Sequence, residues 1–587
     1  MTDGRAYSLN DLWARIIVEH LLTAGIDRFV LSPGSRCTPL TAAVAADNRT
    51  RTTMHFDERG AAYFALGCAR ATGKPAVLIC TSGTAAVNYF PAVVEASMDM
   101  LPMILLTADR PPEMRGTGAN QTINQVRLYG DYARHFVDLP CPDDDTGPES
   151  LLDAVDEALR RSTTAPCGPV QINCPFREPL APLGEKKDFS AYLAGVKERL
   201  ENKTAAPKHA ADTIDAAQKS ARQVAAVIDR AEPGLLVIGA LHSAGEREAA
   251  CLLIERLGWP VYADIRSGLR LGRKSDNIIA HFNQLLLSDR IQAMMPSTII
   301  HLGSMVISKR YLQYLRENEI KRYIHVADHP FEHNPENKLT QKIIADINAF
   351  CRHLAETLDR LPPSALLDEL KPYDRAAGSA LKQFLEGLQN LSEPALARLI
   401  SREIHGGAGL FLGNSMPIRD MDTYADPDCN HVEIAANRGA SGIDGSIAGA
   451  AGFAEGLGAP VTAVIGDLAF LHDLNSLALL KKTSAPVVLV VINNNGGGIF
   501  SFLPVVGCTD IFEPWFGTPH GLGFENIAAT FNLAYHHPAS MDELSECYRR
   551  ARQSASPSII EITTDRGENF DHHRSLEQRM KLAIDSL

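Results

Sequence analysis

An acidic side chain at the end of one apolar segment and an amide at the end of the next can grip the same divalent cation. The chain carries such a pair in Gly466-Asp467 and Asn493-Asn494-Asn495-Gly496. Asp467 offers a carboxylate, Asn494 a side-chain carbonyl, and Gly496 a backbone carbonyl as a third ligand. All are hard oxygen donors, which suits Mg²⁺, and Mg²⁺ keeps positions open for phosphate oxygens and water. The separation, 494 − 467 = 27 residues, fits strand end, helix, strand end in a parallel sheet. Read locally, the same residues are a strand-end Asp and an Asn-Gly turn.

The elements that must position such a site are legible as alternating apolar strands and amphipathic helices. In the first third, Arg28–Ser32, Ala76–Thr81, Pro102–Thr107 and Pro169–Asn173 read as buried parallel strands, with helices such as Thr84–Ser97 between them. Gly184 to Ser220 is rich in Lys, Glu and Ala and reads as a linker with a solvated helix. A second unit holds strands at Gly234–Gly239, Pro260–Asp264, Thr298–Leu302 and Arg322–Val326. Leu361-Pro362-Pro363 through Pro372 marks another connection. The third unit holds strands at Gly409–Gly413, His431–Ala435, Val461–Ile465, Pro486–Ile492 and Ser558–Thr563. The expected architecture is α/β, with three doubly wound parallel sheets. The boundaries are 1–184, a linker 185–220, 221–365 and 366–587. Ligands in such sheets sit beyond the carboxyl ends of the strands.

At 587 residues the chain exceeds one hydrophobic core. A net charge of −13 argues against a general nucleic-acid binder. Met1 to Asn10 shows no apolar signal region, and no apolar run reaches membrane-spanning length. The eleven Cys include no CxxC pair and read as reduced thiols of a cytoplasmic protein.

The Asp467/Asn494 pair resembles the diphosphate–Mg²⁺ motif of thiamine diphosphate enzymes, with Leu468 where the common motif has a second Gly. Such chemistry needs one carboxylate against N1′ of the aminopyrimidine, and the protein sets the cofactor's tautomer and orientation. Glu58, in His55-Phe56-Asp57-Glu58-Arg59-Gly60, stands after a short strand at the head of a helix; read alone it complements the helix dipole. Thr81-Ser82-Gly83-Thr84-Ala85 is an N-cap and also resembles the loops of pyrimidine-binding domains. Arg438-Gly439-Ala440-Ser441-Gly442-Ile443-Asp444-Gly445 feeds a small-residue helix, an anion site where the diphosphate would meet backbone N–H groups.

Four segments make the resemblance specific: Ser32 through Leu40, Thr107 through Pro112, Asn437 through Gly445, and Gly466-Asp467-Leu468 through Asn494. Together they resemble the 2-succinyl-5-enolpyruvyl-6-hydroxy-3-cyclohexene-1-carboxylate (SEPHCHC) synthase family of menaquinone biosynthesis, which also carries Leu at the position of Leu468. The resemblance runs from Leu31 to about Pro504; the middle unit matches in order and in Ser308-Lys309-Arg310.

The resemblance implies pyrimidine, central and diphosphate domains. It implies decarboxylation of 2-oxoglutarate and conjugate addition of the resulting carbanion to isochorismate, with thiamine diphosphate and Mg²⁺ or Mn²⁺. Both substrates are dicarboxylates, which Arg binds bidentately. The resemblance puts Ser415, Arg419 and Arg438 near the cofactor and the oxoglutarate chain. It puts Arg36, Arg110, Asn120, Gln121 and Lys309 toward isochorismate, with Ser35 and Arg310 as further substrate-binding residues. Ser82, Ser441 and Gly442 would touch the cofactor, Ile443 would wedge beneath it, and Ile499, Phe500 and Leu503 would form an apolar wall. Of these, Glu58, Arg36, Arg419 and Arg438 are the expected catalytic residues. Core packing is an equal local reading of the wall, and a buried core Ile of Ile443. The first unit has no His-His motif, which suits an enzyme that must protect a carbanion from protons. The family's sites lie between subunits, so a homodimer is the expected minimum and a homotetramer the family's suggestion. A decarboxylase or acetolactate-type synthase of the same superfamily handles less charged acceptors than these Arg positions suit. A binding protein on this fold would be expected to lose Glu58 or the metal ligands. Ala240 through Gly245 is not GxGxxG, so no dinucleotide is expected in the middle unit.

Overall fold

The computed structural model describes residues 5–201, 211–228, 234–272, 275–296, 298–388 and 390–587. Met1 to Gly4 of the N-terminal reading, and residues 202–210 of the expected linker, lie outside the described residues.

The first sheet contains β1 (Arg28–Leu31), β2 (Arg51–Met54), β3 (Ala76–Cys80), β4 (Met103–Asp109), β5 (His135–Asp138) and β6 (Pro169–Pro175). Their order is β2-β1-β3-β4-β6-β5 and every pairing is parallel. Inner strands such as β3 are buried at every residue, which is why they read as unbroken apolar runs. Helix α1 (Glu58–Thr72) follows β2. The Asp57 carboxylate accepts the Arg59 and Gly60 N–H groups, a cap that makes Glu58 the first helical residue. The single helix expected over Thr84–Ser97 is two, Thr84–Asn88 and α2 (Phe90–Met98). Pro91 has no N–H to carry the ladder across the junction.

The second sheet contains β7 (Gly234–Ile238), β8 (Val261–Ala263), β9 (Thr298–Leu302), β10 (Arg322–Ala327) and β11 (Gln341–Ile344) in the order β8-β7-β9-β10-β11, all parallel. Helix α3 (Lys309–Glu317) starts beyond β9, capped by Ser308. The helix Ala211–Val227 buries Ala217, Ala221 and Val224 in the core against this sheet, so the part of the linker expected to be solvated contributes to packing. Pro372 lies inside the helix Ala365–Glu386 rather than in a connection. That helix buries Leu366, Leu367, Leu370, Tyr373, Ala377 and Leu381, and this burial offsets the one ladder bond that Pro372 removes.

The third sheet contains β12 (Gly409–Leu412), β13 (Glu433–Ala435), β14 (Val461–Gly466), β15 (Val487–Asn493), β16 (Ala534–His536) and β17 (Ser558–Thr563) in the order β13-β12-β14-β15-β17-β16, again all parallel. The helices in this stretch of the chain include α4 (Glu393–Glu403), α5 (Met416–Tyr424), α6 (Ser446–Leu457), α7 (Asp467–His472) and the C-terminal α8 (Arg566–Asp585).

The described residues form two compact units. One unites Met1–Lys208, Asn437–Gly458 and His472–Ala485; the other unites His209–Ala436, Ala459–Leu471 and Pro486–Leu587. In the first unit α1 and α6 meet through small residues. A Cβ on Gly67 would stand 2.2 Å from the Gly449 carbonyl oxygen, and one on Gly452 would stand 1.9 Å from that of Phe64. All eleven cysteines are free thiols. Among the described residues no helix is long and apolar enough to cross a membrane.

Candidate functional site

In the first unit, the expected residues follow the carboxyl ends of β1, β2, β3 and β4, around the point where strand order reverses between β1 and β3. The Arg36 N–H donates to Thr81 Oγ1, and its guanidinium donates to the Phe176 carbonyl at 2.9 Å. Arg36 is 4% exposed; burial and the nearby Arg110 lower its pKa. Arg110 Nη2 donates to the Asn120 carbonyl at 3.0 Å. Ser82 and Gln121 exchange two bonds of 3.0 Å, side chain to backbone in each direction. Arg36, Ser82, Arg110, Asn120 and Gln121 therefore form one linked cluster, with exposed Ser35 beside it. Gln121 has φ 53°, unusual for a non-glycine residue.

Glu58 is half-buried, and burial raises its pKa; among the described residues no side chain is hydrogen-bonded to its carboxylate. Burial also pushes neighbouring His55 down to about 4, so His55 is neutral near pH 7.

The glycine-rich loop differs from its sequence reading in one respect. The Gly439 and Ala440 N–H groups donate to the Glu95 carboxylate on α2, at 2.7 and 2.6 Å. At the start of α6, the Ile447 and Ala448 N–H groups donate to Asp473 Oδ2, at 2.8 and 3.0 Å. Protein carboxylates thus already satisfy four of the N–H groups that the sequence offers to an anion. Burial pushes Asp473 up to about 6. The span Ser441–Ile443 lies between these two capped stretches. Ser441 has φ 63°, and Ile443 is 37% exposed, so it is not a core side chain in the chain as described. Arg438 is half-buried at the head of the loop.

In the second unit, Asp467 and Asn494 follow adjacent strands, β14 and β15. Asp467 Oδ1 accepts the Leu468 N–H at 2.7 Å, and Oδ2 accepts the Gly496 N–H at 2.8 Å and His520 Nε2 at 3.1 Å. His520 Nδ1 accepts the Leu522 N–H, so the ring proton sits on Nε2. Asn494 is 8% exposed; its Nδ2 donates to Glu393 Oε1 at 3.0 Å, and its Oδ1 is buried without a hydrogen-bond partner. Burial and neighbouring Asp420 push the Glu393 carboxyl up to about 7.

A cavity of about 470 Å³ in this unit is lined by Lys309, Arg310, Arg419, Ile499 and Leu503, among others. Phe500 stands outside that lining and packs edge-on against Phe516. Arg310 pairs with Glu577 at 2.6 Å, and Asp420 pairs with His573 at 2.8 Å. Arg419 donates to the Ser415 carbonyl, and burial lowers its pKa. Neither Arg419 nor Lys309 has a carboxylate partner among the described residues. Ser415 precedes α5 with φ 75°, backbone strain of the kind that clusters at ligand sites.

The donor set fits a diphosphate-bound divalent cation. Asn494 Oδ1 is an orphaned buried oxygen beside a carboxylate already oriented by three donors, and a buried polar atom without a partner is expensive. Among the described residues no group of three His, Cys, Asp or Glu side chains could hold a metal, so an ion here would rely on amide and backbone oxygens beside the one carboxylate. Glu58, unpartnered by any side chain among the described residues and raised in pKa, fits the carboxylate that an aminopyrimidine requires. Sequence reasoning did not identify Glu95, Glu393, Asp473 or His520. A lone charge in the apolar stretch of α2 was the available signal for Glu95; Glu393, after Ser392, reads only as a helix start.

Three family models match the chain. Residues 13–128 match the thiamine pyrophosphate enzyme N-terminal TPP-binding domain, 191–412 the middle domain of thiamine pyrophosphate enzymes, and 424–562 the C-terminal TPP-binding domain. A relative from Rubrobacter xylanophilus is 45% identical over 580 residues, covering 98% of this chain and 99% of its own. One from Chlorobium phaeobacteroides is 44% identical over 591 residues, with coverages of 98% and 99%. Both are named 2-succinyl-5-enolpyruvyl-6-hydroxy-3-cyclohexene-1-carboxylate synthase. A solved structure assigned to a thiamin diphosphate-dependent enzyme of Mycobacterium smegmatis shares the fold. Its TM-score is 0.70 at 18% identity, over 94% of this chain and 99% of that one.

Proposed function

The chain belongs to the SEPHCHC synthase family of thiamine diphosphate enzymes, and from that premise we propose that it joins 2-oxoglutarate to isochorismate with loss of CO₂, a transferase-type carboligation in menaquinone biosynthesis. Bound thiamine diphosphate supplies the carbon that adds to the 2-oxo group and takes up the electron pair released with CO₂. Glu58 holds a proton against N1′ of the aminopyrimidine. Asp467, Asn494 and the Gly496 carbonyl hold Mg²⁺ or Mn²⁺, and Ser82, Ser441, Gly442 and Ile443 hold the rest of the cofactor.

The observation that carries the reading is the charge pattern of the 470 Å³ cavity. Arg310 and Asp420 are neutralised within the protein, while Arg419 and Lys309 face the cavity without a carboxylate. A partly desolvated guanidinium without an anion favours a substrate that brings one. Ile499 and Leu503 provide the apolar wall. Arg419, Arg438 and Ser415 serve the oxoglutarate chain. Arg36, Arg110, Asn120, Gln121 and Lys309 serve isochorismate, with Ser35 and the Glu577-paired Arg310 as further substrate-binding residues. A neutral His55 beside Glu58 supports carboligation, because no imidazolium stands ready there to quench a carbanion. The reading includes a cytoplasmic homodimer at minimum, a homotetramer by family suggestion, and no nucleic-acid or membrane partner.

The test is to mix the purified protein with thiamine diphosphate, Mg²⁺ and 2-oxoglutarate, with and without isochorismate. Loss of isochorismate absorbance and a product of the adduct mass are expected. Equal turnover of pyruvate, or CO₂ release indifferent to isochorismate, would instead favour a decarboxylase or acetolactate-type enzyme.

A further inference from the structure

We propose that Glu393 is a positioning residue that turns the Asn494 amide so that its oxygen, and not its nitrogen, faces the metal ion. The inference rests on the reading of Asn494 as a metal ligand. An Asn side chain ends in an oxygen and an NH₂ of nearly equal shape, and only the oxygen can ligate a hard cation. Something must choose between the two orientations before the ion arrives.

Glu393 makes that choice through hydrogen-bond polarity. Glu393 Oε1 accepts Asn494 Nδ2 at 3.0 Å, and because the same oxygen also accepts Thr564 Oγ1 it acts as an acceptor whether or not Oε2 carries a proton. The flipped amide would set oxygen against oxygen and aim its NH₂ at the cation. Thr564 Oγ1 donates to the same Oε1 at 3.1 Å, which pins the acceptor in place. Glu393 is 1% exposed, so water does not compete for this bond.

Glu393 opens α4, but the cap of that helix is made by Ser392, whose side chain accepts the Ala395 N–H. Gly498 leaves room for the amide to sit against Glu393: a Cβ there would lie 2.7 Å from Asn494 Nδ2. The outcome is the buried Asn494 Oδ1 without a protein partner. Outer groups that orient a ligand typically change metal affinity 10- to 100-fold when removed.

The test measures Mn²⁺ binding by electron paramagnetic resonance, in the presence of thiamine diphosphate, with thermal melting of each metal-free variant as a folding control. Glu393→Met keeps the volume and removes the acceptor, and Mn²⁺ affinity is expected to fall about 10- to 100-fold. Glu393→Gln keeps a carbonyl that can accept Asn494 Nδ2, and its affinity is expected to stay within about threefold of wild type. Wild-type affinity in Glu393→Met overturns the inference. So does an equal loss in Glu393→Gln, which would show that charge rather than orientation matters. If Glu393→Met does not fold, Glu393→Leu, which likewise lacks the acceptor, takes its place, with the same loss expected and wild-type affinity overturning the inference. Asn494→Ala and Asp467→Ala separate the two levels. If neither weakens Mn²⁺ binding, the metal reading itself is wrong.

Discussion

His520 Nε2 donates to Asp467 Oδ2 over 3.1 Å, and the same oxygen accepts the Gly496 N–H at 2.8 Å. With Leu468 N–H on Oδ1, the Asp467 carboxylate is fixed in direction by a loop on each side. A ligand held this way loses little side-chain freedom when an ion binds.

Asp467→Ala is therefore expected to weaken thiamine diphosphate binding through the metal, with only partial rescue by excess Mg²⁺ and cofactor. Calorimetry with and without EDTA checks this. An unchanged cofactor affinity would place the metal elsewhere.

Glu58→Gln should fold normally and lose activity by about 10²- to 10⁴-fold, the usual range for a general acid–base group. Gln is isosteric with Glu but cannot hold the N1′ proton. The measurement is C2 proton exchange of bound thiamine diphosphate; exchange at the wild-type rate would remove Glu58 from the role.

Arg419→Ala should narrow the preference for 2-oxoglutarate over pyruvate, which has no distal carboxylate. One charge-assisted hydrogen bond is worth about 1.5–3 kcal/mol, or roughly ten- to a hundredfold in kcat/KM. Lys309→Ala should mainly raise KM for isochorismate. Equal losses for both 2-oxo acids in Arg419→Ala would mean that Arg419 holds the cofactor or the fold. Arg438→Ala, compared in the same assay, tells which arginine takes the distal carboxylate.

Burial lowers the His573 imidazole, but the Asp420 carboxylate and its hydrogen bond outweigh that effect and bring His573 to about 9. A folded-state pKa above the unfolded value of 6.5 stabilises the protein fully below pH 6.5, and the contribution is lost as pH rises through about 9. Its full size is on the order of 3 kcal/mol. The melting temperature should fall across that window, and Asp420→Asn should flatten the fall. A wild-type curve parallel to that of Asp420→Asn would show that the pair does not carry the pH dependence.

The inner strands were legible because burial on both faces leaves an unbroken apolar run, as in β3 and β15. The strands β5 and β11 gave no such run. Both lie at sheet edges with half-exposed side chains, and their pattern is that of a surface segment. At the site, Asp467 and Asn494 were legible because spacing along a parallel sheet fixes which strand ends are neighbours. Glu393 was not, because its bond to Asn494 spans 101 residues and no local pattern encodes it. The capping of α6 was hidden for the same reason. A Gly-rich loop before a helix shows available N–H groups, but not that Glu95 and Asp473 reach them from elsewhere in the chain.

The interleaving of the first unit governs how the chain can be made. Helix α1 leaves the ribosome early, yet the glycine-faced α6 that packs against it belongs to Asn437–Gly458, and the unit closes only with His472–Ala485. From Lys208 to Ala485 is 485 − 208 = 277 residues, roughly 14–55 s of synthesis at about 5–20 residues per second. During that interval the nascent chain shows the small-residue face of α1 uncovered, a natural target for a holdase. A gene truncated after Lys208 would yield a product permanently in that state, and it should aggregate rather than behave as an independent domain.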